Sequence, residues 1–464
     1  MLKTILILSV CMICFACTVG PDYEAPRFFK ENGHITSQDL SRKYKITKNW
    51  YRQFDDEQLN SLIEIGLKQN TDIGQAAAKI KQARATLAIN ESDFLPLIDA
   101  SGSYNYEKYH NNTGSNLEYY SAGFDASWEL DFWGKGRRQK EADFANVKQM
   151  EFSLDNIKTM VVAEIIMQYI SLLQNSENLR LARQNLQLQQ QIYDTVFFKY
   201  RNGLTDATDY QQARYLVATT KAQIPLYENN IEKYKNSLSV ICGTLPEKFF
   251  IETHRKADLF AKTKIFNDNG LTELPLQIIR LRPDVAAAEQ KLIAQNALIG
   301  KAVAELYPDI SVSGMWGYMA ANTNNLFNSS SQEYKYSPLI SLPILDWNKF
   351  KNNVKLQKYI KEEALENYKK TVLTAAAELK NAMVNFTLAK KQFQNQSEAL
   401  NSMKRAVDAS MRQYQNGLIG FSDVLSIQQN YIGAQNDFSA SKAKVFEAVV
   451  AYYKAAGGGM YQEN

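Results

Sequence analysis

A short sequence that occurs twice decides the fold: KYRNGLTDATDY at residues 199–210 and QYQNGLIGFSDV at residues 413–424. Each copy has a tyrosine three positions before the glycine of an Asn-Gly-Leu triplet and an aspartate six positions after it. The copies lie 214 residues apart, and the equivalent pairs are Tyr200 and Tyr414, Gly203 and Gly417, Leu204 and Leu418, and Asp209 and Asp423. Because glycine tolerates a left-handed backbone, each copy is typical of a tight turn between two helices.

Each copy ends a stretch of 66 residues without glycine or proline, at residues 137–202 and 351–416. A helix of that length spans about 100 Å at 1.5 Å per residue. Apolar residues recur every seven positions in both stretches, which indicates coiled-coil packing. The first seam is Ile165, Leu172, Leu179, Leu186, Tyr193 and Tyr200, and the second is Leu379, Phe386, Phe393, Leu400, Val407 and Tyr414. A return helix, at about 206–242 and 421–456, completes a helical hairpin in each half.

The matches between the two halves run in order along the chain and predict an internal duplication of about 210 residues. Further equivalent pairs are Asp72 and Asp284, Pro96 and Pro308, Gly102 and Gly314, and Trp133 and Trp347. The predicted organisation is a first repeat at 56–243, an equatorial linker at 244–275, a second repeat at 276–456 and a tail at 457–464.

A pair of segments with alternating apolar and polar residues precedes each long helix, as in strands with one apolar face. The predicted strands are about 98–108, 119–130, 309–319 and 334–344. Their length and aromatic residues are typical of transmembrane β-barrel strands, and the alternative is a soluble antiparallel sheet. Four strands cannot close a barrel and lipid does not tolerate open edges, so the chain would combine its strands with those of other copies.

The first residues of the chain predict export and lipidation. Residues 1–16, MLKTILILSVCMICFA, have one lysine followed by an apolar run, which is typical of a signal peptide. Ala16 precedes Cys17, as in bacterial lipoprotein processing, so we expect Cys17 to become the acylated end of a segment at 17–55. The alternative is ordinary cleavage that leaves a free cysteine. Only Cys242 lies inside the mature chain, which excludes a disulfide framework.

Composition and motifs indicate neither an enzyme nor a nucleic-acid-binding protein. The net charge of +4 is not typical of a nucleic-acid-binding protein. The three histidines, His34, His110 and His254, lack partners at metal-ligand spacing, and neither a phosphate-binding loop nor a nucleophile elbow is present. We therefore expect a protein that is not an enzyme, with no catalytic residue, no metal and no cofactor apart from the covalent lipid on Cys17.

The sequences CTVGPDYEAP at 17–26 and RPDVAAAEQKLIAQNALIGKAVAELYPDI at 282–310, with the two Asn-Gly-Leu turns, resemble a known family. They are similar to the outer-membrane channel lipoproteins of the TolC and OprM type, the NodT-like outer membrane factors, over essentially the whole mature chain. The resemblance implies an α+β homotrimer with a 12-strand transmembrane β-barrel, four strands per chain, continued by a 12-helix coiled-coil tunnel in the periplasm.

The resemblance also implies a function, which is the outer-membrane exit channel of a tripartite efflux pump for drugs or other small toxic compounds. The implied partners are a periplasmic adaptor (membrane fusion) protein, an inner-membrane pump of the resistance-nodulation-division class, and outer-membrane lipid. No nucleic-acid partner is expected. Two alternatives stay open: an outer-membrane channel for protein secretion, and a coiled-coil envelope lipoprotein that forms no channel.

Roles for the two turns follow from the same resemblance. Gly203, Leu204, Gly417 and Leu418 would dock the adaptor, and Asp209, Asp423 and Tyr414 would form the periplasmic gate. Ile419 stands where some relatives have a gate-locking arginine, so that salt link is not expected here. The alternatives are structural: the aspartates would complement helix dipoles, Tyr414 would pack in the seam, and the glycines would only make the turns.

Overall fold

The computed structural model describes residues 18–26, 49–108, 116–252 and 276–459 of the 464-residue chain. The predicted signal peptide, Cys17, the three histidines and most of the predicted linker lie outside these residues. The chain divides into two compact units. Unit 1 comprises residues 1–30, 78–152 and 286–371, and unit 2 comprises residues 31–77, 153–285 and 372–464.

Helices make up most of the described chain, and they repeat in pairs. Two short helices, α1 (Glu57–Gln69) and α2 (Thr71–Ser92), come first. The long helix α3 (Lys135–Arg201) is followed by α4 (Ala207–Ile241) in the first repeat. The second repeat has α5 (Pro283–Ala304), α6 (Lys349–Gln415) and α7 (Phe421–Ala455).

Helices α3 and α6 both have 67 residues, and their return helices α4 and α7 both have 35. The predicted duplicated hairpin is therefore confirmed. Short 3-10 turns occur at Trp50–Phe54, Pro246–Lys248, Leu276–Leu281, Thr323–Asn325 and Ser329–Ser331. Within the described residues, one helix, α3, is apolar enough to cross a membrane, with a mean hydropathy of 1.2 over 18 residues, but 56% of that window is buried.

Four strands form one antiparallel sheet in the order β1-β2-β3-β4. They are β1 (Leu97–Lys108), β2 (Asn116–Glu129), β3 (Asp309–Ala320) and β4 (Gln332–Ser341). The strand pairs of the two repeats join through β2 and β3, where Phe124 lies opposite Trp316. The prediction that the fourth strand reaches residue 344 is wrong. The ladder ends at Ser341 because its partner Asp309 is the first residue of β3, and Leu306 and Tyr307 before it form the turn that leaves α5.

The two faces of the sheet differ in chemistry, as the alternation predicts. One face exposes large apolar side chains, among them Ile98, Phe124, Trp316, Tyr334, Tyr336 and Ile340. The other face is polar: the Ser101 hydroxyl donates to Asp125 Oδ2 at 2.5 Å, and the hydroxyls of Ser103 and Ser121 hydrogen-bond at 2.8 Å. A sheet with a fully exposed apolar face is not a soluble sheet packed on its own core.

The core of unit 2 forms where the repeats begin and end. Ile165, Leu172 and Phe446 are fully buried, and Trp50 stacks on Tyr453 with ring centroids 4.7 Å apart. Equivalent side chains cap the two return helices. Asn70 Nδ2 donates to the carbonyl of Ile241 at 2.8 Å, and a guanidinium nitrogen of Arg282 donates to the carbonyl of Ala455 at 3.2 Å.

The seam along α3 follows the predicted heptads only at its start. Ile165, Leu172 and Leu179 are buried as expected. Further along, the buried positions are Ala182, Asn185, Gln189 and Val196, rather than Leu186, Tyr193 and Tyr200. The seven-residue step itself continues, from Ala182 through Gln189 to Val196, so the seam shifts by three residues after Leu179, as at a stammer in a coiled coil.

Candidate functional site at the hairpin tips

Both helical hairpins end in the same turn. The N–H of Leu204 donates to the carbonyl of Lys199 at 2.9 Å, and the N–H of Leu418 donates to that of Gln413 at 2.9 Å. The intervening glycines have positive φ angles, 68° at Gly203 and 73° at Gly417. A Cβ at either glycine would meet no atom within 4 Å, so the left-handed backbone, and not a lack of space, requires glycine there.

The turns also present the leucines to solvent. The exposed fraction is 70% for Leu204 and 72% for Leu418. The four residues predicted to dock an adaptor therefore lie at the surface of the two tips, as a binding role requires.

In the first tip, aromatic side chains pack between the two helices of the same hairpin. Tyr200 in α3 stacks on Tyr210 in α4, with ring centroids 5.1 Å apart and an angle of 6° between the planes. Phe197 packs against the same ring at 5.6 Å, and the hydroxyls of Tyr193 and Tyr210 lie 3.4 Å apart. Such contacts join the last turn of α3 to the first turn of α4.

The second tip packs against the first hairpin. Tyr414 contacts Phe421 of its own hairpin, with centroids 5.7 Å apart, and Lys199 Nζ lies 4.4 Å from the centre of the Tyr414 ring. Phe421 is buried in a cluster with Val196 and Ala213 of the first hairpin. Burial, and next the nearby charge of Asp209, raise the pKa of the Tyr414 phenol, so it stays neutral at physiological pH.

The two predicted gate aspartates both lie in the first turn of a return helix. The Thr205 hydroxyl donates to Asp209 Oδ2 at 2.5 Å, and the N–H of Asp209 donates to Asp206 Oδ1 at 2.9 Å. The N–H of Gly420 donates to Asp423 Oδ2 at 3.2 Å. The structural alternative for these acids therefore has direct support, and of the three proposed gate residues the structure brings Asp209 and Tyr414 together.

Sequence reasoning missed Lys199, Asp206 and Phe421. Asp206 had a signal, because an aspartate just before a helix is a preferred N-cap. Lys199 had none, since a lysine in the last turn of a helix is usually solvated and its contact Tyr414 is 215 positions away.

A second built site, in unit 1, holds residues 18–26, which we call the N-terminal strap. The guanidinium of Arg138, whose side chain is 5% exposed, donates to the carbonyl of Val19 at 3.2 Å and to Asp22 Oδ1 at 2.8 Å. Asn296 Nδ2 donates to the carbonyl of Pro21 at 2.9 Å. Buried donors of this kind fix the strap in one conformation.

Two further contacts complete the strap site. The Tyr23 hydroxyl donates to Glu289 Oε1 at 3.1 Å, and burial together with this carboxylate raises the pKa of the phenol. Gly20 crosses Gly300 so closely that a Cβ on Gly20 would lie 2.4 Å from the Gly300 Cα. The sequence VGPDY thus has a physical reason at nearly every position.

In the part of the chain that the structure describes, no group of three His, Cys, Asp or Glu side chains could hold a metal ion. Cys242 is buried, and burial raises the pKa of its thiol to about 11. A thiol with such a pKa is a poor nucleophile.

Comparison with known proteins agrees with this geometry. The family model described as "Outer membrane efflux protein" matches residues 62–244 and 274–458. The probable outer membrane lipoprotein SilC of Salmonella typhimurium is 27% identical over 99% of this chain and 98% of its own. The cation efflux system protein CusC of Escherichia coli (strain K12) is 25% identical over 97% of this chain and 98% of its own.

A solved structure described as the outer-membrane channel OprN superposes with a TM-score of 0.86 at 26% identity, and it covers 96% of this chain and 100% of that one. The similarity therefore extends over both repeats, including the sheet and the hairpins. Because the family model matches both halves of the sequence, the chain belongs to the outer membrane efflux protein family.

Proposed function

We propose that three copies of this chain form the outer-membrane exit channel of a tripartite efflux pump. The channel conducts drugs or other small toxic compounds passively from the periplasm to the exterior. The observation that carries the proposal is the four-stranded sheet, which exposes an apolar face and leaves β1 and β4 each paired on one side only among the described strands. Such a sheet is stable in lipid only when copies of it close into a barrel.

The dimensions and faces of the sheet support a three-copy barrel. Two copies would supply eight strands, and side chains fill the interior of an eight-stranded barrel. Three copies would supply twelve strands and leave room for a conduit. The face with Ile98, Phe124, Tyr336 and Ile340 would contact lipid. The face with Asp99, Asp125 and Lys335 would line the conduit, since transmembrane barrels are apolar outside and polar inside.

The duplicated helical hairpins support the periplasmic part of the proposal. Three copies would bring together twelve hairpin helices and six tips. In this arrangement the tips close the periplasmic end, with Asp209, Asp423 and Tyr414 as gate residues, and Gly203, Leu204, Gly417 and Leu418 dock the periplasmic adaptor. The exposure of both leucines supports the docking role, and the proximity of Asp209 and Tyr414 supports the gate.

The energy for transport would come from the inner-membrane pump, of the resistance-nodulation-division class. An exit channel of this kind is not an enzyme. A covalent lipid on Cys17 would anchor the chain two residues before Val19, whose carbonyl accepts a hydrogen bond from Arg138. Several acyl chains on one residue hold a protein on a bilayer, because each buried CH2 contributes about 0.8 kcal/mol.

The test is a susceptibility and dye-retention panel in a deletion strain, with antibiotics, dyes and toxic metal cations. The strain is complemented with the wild type, with Gly417→Trp, whose tip is too bulky to dock, and with Gly433→Ala on the surface of α7 as a control. We expect sensitisation that the wild type and the control rescue and Gly417→Trp does not. Unchanged susceptibility together with loss of a secreted protein from the medium would replace efflux by protein secretion.

A further inference from the structure

The two tips hold their equivalent tyrosines in different ways. In the first tip, Tyr200 stacks on Tyr210 of the same hairpin. In the second tip, the equivalent of Tyr210 is Val424, which is fully buried and has no ring to stack on Tyr414. The second tip therefore lacks the stacked tyrosine pair of the first tip, and its Tyr414 instead makes a tilted contact with Phe421 of its own hairpin.

Lys199 of the first hairpin contacts the face of the Tyr414 ring. Its Nζ lies 4.4 Å from the centre of the Tyr414 ring, inside the range of about 6 Å in which a cation is attracted to an aromatic face. The lysine is half-buried, so solvent screens this attraction less than it screens a surface ion pair. Lys199 belongs to the first hairpin and Tyr414 to the second, so the contact joins the two tips of one chain.

This link has no equivalent in the other direction. The residue equivalent to Lys199 is Gln413, which carries no charge that could bind the Tyr200 ring. Ile419 likewise cannot form an ion pair with an acid of the first tip. Among the described residues, Lys199 is thus the cation of the first tip that contacts the Tyr414 ring of the second tip.

We propose that Lys199 is the positioning residue that keeps the resting channel closed, by binding the face of Tyr414 and holding the second tip against the first. The proposal deepens the proposed function and rests on it. The link is a cation on an aromatic face, and it does not use the phenol hydroxyl. When an adaptor pulls the second tip away, Lys199 loses the ring and regains water, so the contact is reversible.

The test measures resting conductance of the purified channel in planar bilayers, and susceptibility of cells to an antibiotic too large for a closed channel. Lys199→Met removes the charge and keeps the length of the side chain, and Tyr414→Leu removes the ring. Both are expected to raise resting conductance severalfold. Lys199→Arg and Tyr414→Phe are expected to keep the channel closed, because they retain a cation and an aromatic face.

Two controls make the result specific. Lys391→Met removes a charge from an exposed position of α6 and is expected to leave resting conductance unchanged. The double variant Lys199→Met/Tyr414→Leu is expected to leak no more than either single variant, because both remove the same contact. If the double variant leaks as the product of the two single effects, the residues act separately and the proposal is overturned.

Two other outcomes would also overturn the proposed role of Lys199. Wild-type closure in Lys199→Met overturns the proposal, and so does a Tyr414→Phe channel as leaky as Tyr414→Leu, since the hydroxyl would then carry the contact. Channel formation by the wild type, seen as discrete conductance steps, tests the proposed function separately. If the wild type and every variant form steps but none differs at rest, the exit channel stands and the role of Lys199 does not.

Discussion

At the scale of single residues, the backbone conformation decides whether a glycine can be replaced by alanine. Gly417 has a φ of 73°, whereas Gly433 lies inside α7 with open space at its Cβ. We expect Gly417→Ala to destabilise the second tip by about 1–2 kcal/mol, because a left-handed backbone disfavours a Cβ. Gly433→Ala is expected to stabilise by about 0.5–1 kcal/mol, since alanine is the better helix former.

Hydrogen exchange of the amides in residues 412–424 measures the local effect. Faster exchange is expected in Gly417→Ala and unchanged exchange in Gly433→Ala. Equal protection in both variants would mean that the turn adopts another conformation in solution.

Cysteine chemistry gives a second prediction at this scale. Since burial raises the pKa of Cys242 to about 11, roughly one thiol in a thousand is ionised at pH 8. We expect the native mature protein to take up no maleimide at pH 8, and to take up one equivalent after denaturation. Because raised pKa values favour the protonated thiol, labelling of the native protein should increase only as the pH approaches 11. Fast labelling of one thiol in the native state at pH 8 would instead reveal a free Cys17, which contradicts acylation.

At the scale of elements, the N-terminal strap is held by few but buried contacts. Replacing Arg138 by methionine removes the donor to the carbonyls of Val19 and Gly20 and to Asp22, and a hydrogen bond from a charged group contributes about 1.5–3 kcal/mol. We expect Arg138→Met to release the strap and to lower the midpoint of thermal unfolding.

Arg183→Met is the matched control, because Arg183 pairs with Glu228 on the surface, where both side chains are about half exposed, and such pairs contribute about 0–1 kcal/mol. Limited proteolysis within residues 18–26 reports the strap directly. If Arg138→Met and Arg183→Met resist the protease equally, other contacts, such as that of Asn296 with Pro21, suffice to hold it.

Elements that depend on neighbouring residues could be predicted from the sequence, whereas contacts between residues far apart in the chain could not. The hairpins and strands could be predicted because periodicity and the Asn-Gly-Leu turns are local signals. The duplication presents each of these signals twice. The end of β4 was misplaced because the alternation within one strand does not show where its partner β3 begins. The docked strap and the Lys199 contact were missed because their partners lie more than 100 residues away, where a single sequence carries no signal.

At the scale of the whole molecule, the charges of the sheet decide what an assembled barrel conducts. On the polar face, Glu129 and Asp309 lie within 4 Å of Lys135, which balances them in part. Asp99, Glu107, Asp125 and Glu333 also lie on that face, together with the one lysine Lys335. Each chain therefore brings an excess of negative charge to the proposed conduit, independently of the tips.

An excess of fixed carboxylates raises the local concentration of cations and lowers that of anions, so the open channel should prefer cations. We expect the double variant Asp99→Asn/Asp125→Asn to shift the reversal potential in a salt gradient toward zero and to leave the resting conductance unchanged. Glu118→Gln is the matched control, because Glu118 lies on the apolar face, where it accepts a hydrogen bond from Tyr104. The shift should shrink at high salt, since the screening length falls from about 10 Å at 0.1 M to about 3 Å at 1 M. A wild-type channel without cation preference, or a control that shifts as much as the double variant, would show that the polar face of the sheet does not line the conduit.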